Sequence, residues 1–109
     1  MKKYEGFREN GQPLVLVLNG TGRRALAAGP SQQIIDHAPY GFEWGYGGSG
    51  PAQLALAILL DHTRNPTIAS RHYQAFKREF IAPAPDAGFT ITADQVGAWL
   101  GSRTATAGE

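Results

Sequence analysis

An α+β domain is the fold class predicted by this sequence, in the form of an N-terminal β-hairpin or small antiparallel sheet packed on a buried central helix and two further helices. Three observations predict it. Strand-like segments flank Asn10-Gly11, a dipeptide that accepts the positive φ values of a type I′ hairpin turn. The run from Ala52 to Leu60 is apolar on every side of a helical wheel, so a helix there has to be surrounded. Beyond Asn65-Pro66, the residues Ala69, Tyr73, Phe76 and Phe80 recur at spacings of four, three and four, which is the pattern of an amphipathic helix.

In chain order, Tyr4 to Arg8 and Leu14 to Leu18 are the hairpin strands. The second is continuously apolar and is expected to be covered on both faces, whereas the first carries Glu5 and Arg8 and is expected at an edge. Asn19-Gly20-Thr21-Gly22 is another turn. Arg23 to Gly29 reads as a third strand or a short helical turn, and we prefer the strand. Gln32 to Asp36, with Ile34 and Ile35, is expected to be a short strand before a break at Pro39.

The stretch Gly41 to Leu60 organises the rest. Phe42, Trp44 and Tyr46 recur at period two, so an extended segment would give them one face and leave Glu43, Gly45 and Gly47 on the other. Gly47-Gly48-Ser49-Gly50 is read as a turn that exploits positive φ, and Pro51 has the fixed φ suited to the first turn of a helix. The helix that follows has too few apolar residues to span a bilayer, so protein must surround it.

Asn65 is a natural N-cap for the next helix, which the run Pro83-Ala84-Pro85 ends. Phe89 to Ile91 reads as a brief extended piece, and Thr92-Ala93-Asp94-Gln95 fits a capping box that opens a short last helix anchored by Val96, Trp99 and Leu100. One domain over residues 1–100 is expected, with Gly101 to Glu109 as a frayed tail.

Composition excludes several function classes. The apolar fraction of 42% and charged fraction of 17% exclude a disordered chain. With no cysteine, there is no disulfide scaffold, thiolate zinc site or cysteine nucleophile. No apolar run follows Lys2 and Lys3, so no signal peptide is expected and a cytoplasmic location is. The net charge of +1 argues against an acidic DNA mimic and gives no indication of a nucleic-acid binder, although one remains possible. Charge is uneven nonetheless. Between His62 and Ala82, Arg64, Arg71, Lys77 and Arg78 stand against the single anion Glu79, and these cations are the candidate partner-binding patch.

The other candidates are weaker. Glycines at positions 45, 47 and 50 satisfy GxGxxG, and a helix N-terminus attracts phosphate, so Gly47, Gly48, Ser49 and Gly50 form a candidate ligand loop. That loop lacks the lysine and Ser/Thr of a P-loop, and a packing turn is the preferred reading. Phe42, Trp44 and Tyr46 can be drawn as a base-stacking platform, yet the inner face of a sheet beneath Leu54 and Ile58 explains them as well. Asp36-His37, Asp61-His62 and His72 can be drawn as a metal site, but no spacing brings them together. Ser49 lacks the five-residue nucleophile elbow. No metal, cofactor or catalysis is therefore expected.

The stretch GFEWGYGGSGPAQLALAILL, Gly41 to Leu60, resembles the signature of an uncharacterised domain family found in bacteria, bacteriophages and mobile elements. A looser similarity continues through Tyr73-Gln74-Ala75-Phe76-Lys77 and Phe89-Thr90-Ile91-Thr92. The resemblance implies no activity and no catalytic residues. It implies a phage or mobile-element setting, in which small single-domain proteins commonly bind host components, so a non-enzymatic binder of a host or phage protein, of anti-CRISPR or other anti-defence type, is the expectation, without a membrane role. A nucleotide or phosphate ligand on the glycine loop is the alternative.

Overall fold

A computed structural model of the chain describes residues 1–38 and 41–107, with side chains through Arg103. The break expected at Pro39 and the last residues of the expected tail lie outside the described residues. The hairpin forms where the sequence places it: β1 (Lys2–Glu9) and β2 (Gln12–Asn19) pair antiparallel, from Lys2 opposite Asn19 to Glu9 opposite Gln12. Asn10 and Gly11 take φ values of 52° and 78°, the left-handed pair a type I′ turn needs. β3 (Gly22–Ala25) adds to β2 as a short edge strand, so the strand reading of Arg23 to Gly29 holds for its first three residues only.

The sheet order is β3-β2-β1-β4, with β4 (Gly88–Thr92) antiparallel to β1. β1 is therefore an inner strand and not the edge its charges suggested. Its alternation explains how: Tyr4 and Gly6 point inward, while Lys3, Glu5 and Phe7 point outward. β2 is likewise not covered on both faces. Val15 and Val17 are buried, whereas Leu14, Leu16 and Leu18 are only partly shielded on the outer face.

Helices cover the inner face alone. α1 (Gly29–Gln32) is a single turn, held by Ser31 Oγ donating to Ala28 O at 2.7 Å, and the short strand expected over Gln32 to Asp36 does not form, since the amides of Ile34 and Ile35 bond back to Ser31 O. α2 (Ser49–Thr63) is the central helix, buried continuously from Gly50 to Leu59. Burying Leu54, Leu56, Ile58 and Leu59, each fully enclosed, contributes about 1.5–3 kcal/mol per side chain, which makes this helix the main hydrophobic term of the fold. Gln53 is the polar exception. Its Oε1 accepts from the backbone amides of His37 and Ala38, and its Nε2 donates to Ser31 Oγ and Ile35 O, so the 31–38 loop is fastened to the helix by four hydrogen bonds.

α3 (Pro66–Phe76) starts as the sequence predicts, with Asn65 Oδ1 accepting from the amides of Thr67 and Ile68 and Pro66 in the first turn. It continues into a π-helical turn over Lys77–Ile81. The wider turn shifts the buried position by one residue: Ala69, Tyr73 and Phe76 are buried as expected, but Ile81 takes the core place and Phe80 is half-buried, stacked on Phe76 with centroids 4.7 Å apart. α4 (Ala93–Ala107) opens on the predicted capping box, with Gln95 N donating to Thr92 Oγ1 and Thr92 N donating to Gln95 Oε1. Its helical backbone runs on through residues read from the sequence as a tail. Val96 and Leu100 are buried, and Trp99 meets Phe76 edge-on at 5.2 Å.

The aromatic stretch before α2 is irregular, not a strand. Gly41 and Gly45 take φ values of 111° and 90°, so the period-two face is broken: Trp44 is 1% exposed and Tyr46 52%. Trp44 stands between two rings of contact. Its indole meets Phe89 edge-on at 5.1 Å, Phe89 lies over the bare backbone of Gly6, and the Arg8 guanidinium sits 4.3 Å from the centroid of the indole. Arg8 also pairs with Glu43 and Asp86, which stitches β1 to this segment and to the chain before β4. The inner face of the sheet is thus made by Tyr4, Val15, Val17 and Ile91, with the aromatic segment closing one end.

Candidate functional site

Three places bear on function: the glycine loop, the outward side of α3, and a charged cluster where β1, β3 and the end of α2 meet. The glycine loop is the N-terminus of α2. Gly48 is the cap residue with φ −99° and ψ −162°, and no side chain caps the helix. The four candidate residues do not use positive φ; the left-handed glycine of this turn is Gly45. What the loop needs is room. A Cβ on Gly48 would strike the Tyr46 ring, and one on Gly50 would stand 2.7 Å from Glu43 Cβ, so the glycines let the preceding segment fold down on the helix start. Lys77 reaches the loop from α3, its Nζ 3.4 Å from Gly47 O.

On α3 the structure gathers most of the predicted patch and separates one member. Arg71 on α3 and Arg78 on the π-helical turn that continues it are both exposed, and Lys77, next to Arg78, is half-buried. Arg64 is not on this helix. It caps α2 with φ 55° and lines a cavity. The charge balance sorts the same way. Lys2, Lys3, Arg8, Arg24 and Arg103 each pair with a carboxylate, whereas Arg64, Arg71, Lys77 and Arg78, with Arg23, have no carboxylate partner among the described residues. The nearby anion is turned away: Glu79 Oε2 accepts from Trp99 Nε1 at 3.0 Å and lies 4.0 Å from Arg103. His72, buried beneath, accepts from Arg103 Nε through Nδ1 at 3.3 Å. Burial first, then Arg103 and Arg71, hold its pKa below the ordinary histidine value.

The charged cluster centres on Asp61. Its Oδ2 accepts from Tyr4 Oη at 2.7 Å and pairs with Lys2 Nζ at 2.8 Å, while Oδ1 pairs with Arg24 Nη2 at 2.6 Å. Burial alone would raise the carboxyl, but hydrogen bonds from Lys2, Arg24 and Tyr4 outweigh it and hold the pKa at about 2. Burial, then Asp61, pushes the Tyr4 phenol far above its usual value, so it stays a donor. In the sequence Asp61 stands out only beside His62, in a metal site that no spacing brings together. The available signal was on β1, where Lys2 and Tyr4 share a face and a buried phenol needs a partner.

Of the histidine and aspartate pairs drawn as a metal site, Asp61 is committed to this cluster, and His37 Nε2 lies 2.7 Å from Tyr73 Oη. Among the described residues no three His, Asp or Glu side chains gather to hold a metal, and no helix is long and apolar enough to cross a membrane. No curated protein matches the chain, and no solved structure does either. A family match does exist, over residues 4–102, from β1 into α4. The chain belongs to DUF6166, a family of unknown function.

Proposed function

We propose that this protein is a non-enzymatic binding module that docks on an acidic surface of a host or phage protein through the outward side of α3. One observation carries the reading: Arg71, Lys77 and Arg78 project from one helix with no carboxylate partner among the described residues, while Glu79, the one acid in the segment, is engaged by Trp99 and Arg103. A solvated helix normally interleaves its charges. Cations without a carboxylate partner can meet an acidic surface, where complementarity steers encounter and fixes register. A phage or mobile-element origin and an anti-defence role rest on the resemblance at Gly41 to Leu60, and they belong to the same proposal, as does a cytoplasmic location.

The test separates docking from folding. Lys77 also supports the glycine loop, so the clean variant is Arg71→Glu with Arg78→Glu. Exposed positions of this kind change stability by within about 0.5 kcal/mol each, so the melting temperature should hold while the copurifying protein partner is lost. Retention of that partner by the double variant would refute docking through α3.

A phosphate-bearing ligand on the glycine loop is the second reading, favoured by one observation: Lys77 brings a cation to an N-terminus that no side chain caps. Nucleotides and cyclic dinucleotides at a hundred times the dissociation constant would then stabilise the fold by about 2.7 kcal/mol. No thermal shift with any of them removes this reading.

A further inference from the structure

We propose that the cavity between β3, α1 and the junction of α2 with α3 binds a small amphipathic carboxylate, its apolar body against Leu26, Ala57 and Leu60 and its anionic head on the guanidinium groups of Arg24 and Arg64. The cavity holds about 440 Å³, within the range of small-molecule sites. Its walls are mostly apolar, with Arg24, Ser31, Asp61 and Arg64 as the polar groups, a lining that suits an amphipathic molecule better than a bare ion.

The polar side calls for an acceptor. Asp61 is already satisfied by Lys2, Tyr4 and Arg24, so it has little left to offer a cationic ligand. The guanidinium groups are in the opposite condition. Arg24 spends Nη2 on Asp61, and Arg64 spends Nε on Asp61 O at 3.1 Å, which leaves donors on both from a group that carries five. Lys2 and Arg24 pair with the Asp61 carboxylate, and Arg64 holds the backbone carbonyl of the same residue. A carboxylate head would accept from both arginines, and charge-assisted bonds of that kind are the strong ones.

Arg64 adds a second, independent observation. It occupies the left-handed position that closes α2, with φ 55°, where glycine is the residue that suits the backbone. Holding an arginine there costs conformational energy that a glycine would avoid, and residues kept in that region cluster at ligand clamps. From that position Arg64 lines this cavity. Arg71 and Arg78 do not line it, so the site stands apart from the docking face.

Calorimetric titration with octanoate tests the proposal, alongside octanamide, which keeps the chain without the charge, and acetate, which keeps the charge without the chain. Octanoate should bind saturably at one site and at least about tenfold tighter than either control. Arg64→Gly keeps the fold, because glycine favours that φ, and Arg24→Gln leaves Asp61 with Lys2 and Tyr4; each should weaken octanoate roughly tenfold or more, the loss expected for a hydrogen bond to a charged group. Absence of saturable octanoate binding, octanamide bound equally well, or unchanged affinity in Arg64→Gly would overturn it.

Discussion

Tyr4 Oη donates to the Asp61 carboxylate across 2.7 Å, joining an inner strand to the end of the central helix over 57 residues of chain. The phenol is fully buried and the acid nearly so, which makes the pair a pin between sheet and helix and not a surface contact. Tyr4→Phe removes one donor and leaves Asp61 with Lys2 and Arg24, so unfolding free energy should fall by about 1 kcal/mol. Asp61→Asn leaves those two cations without their counter-charge and should cost more, on the order of 2–3 kcal/mol. Urea denaturation measures both, and a smaller loss for the aspartate variant than for the tyrosine variant would contradict the arrangement.

Stability should fall in two separate windows of pH. His62 and His72 both have pKa values lowered from the ordinary 6.5, chiefly by burial and then by Lys2 for the first and by Arg103 and Arg71 for the second. The unfolded chain therefore binds more protons just below that value, and stability declines as the pH drops through it. Asp61 acts lower. Its folded pKa of about 2 lies under the ordinary 3.8, so its contribution is present above 3.8 and is lost as the pH falls toward 2. The urea midpoint against pH should show both declines. Asn at positions 62 and 72 should flatten the first and Asn at 61 the second; a midpoint unchanged between pH 7.5 and 5 would contradict the histidine assignment.

The glycines around α2 should differ sharply from one another. Gly45 has φ 90° and Gly50 lies against Glu43, so alanine at either should cost on the order of 1–3 kcal/mol, by backbone strain in the first case and displacement of Glu43 in the second. At Gly47 a Cβ meets nothing within 4 Å and φ is not left-handed, so Gly47→Ala should be nearly neutral. Thermal melts of the three variants decide it. Equal losses at all three would mean that the whole loop, and not two positions in it, is conformationally constrained.

Local signals in the sequence carried most of the fold. Asn10-Gly11, the apolar run of α2, Asn65-Pro66 and the Thr92/Gln95 box each specify their element through neighbours only a few residues away, and each element formed. What was not legible depended on distant partners. β1 looked like an edge because nothing near it announces that Gly88–Thr92 will pair with it. Phe42, Trp44 and Tyr46 had strand periodicity, but left-handed Gly41 and Gly45 turn the chain so that only Trp44 reaches the core. The basic patch was legible as composition, since Arg71, Lys77 and Arg78 follow one another on a predicted helix. The removal of Arg64 to a cavity was not, because it depends on a left-handed cap at a residue that usually avoids one.

The most direct test of docking through α3 is the association rate of the purified protein with its captured protein partner, measured at low and physiological salt for the wild type beside Arg71→Glu/Arg78→Glu. Steering by an unpaired basic face predicts a wild-type rate that falls steeply as salt rises, with dissociation changing little, and a double variant whose association is slow at both concentrations. A wild-type rate independent of salt, matched by the double variant, would contradict it.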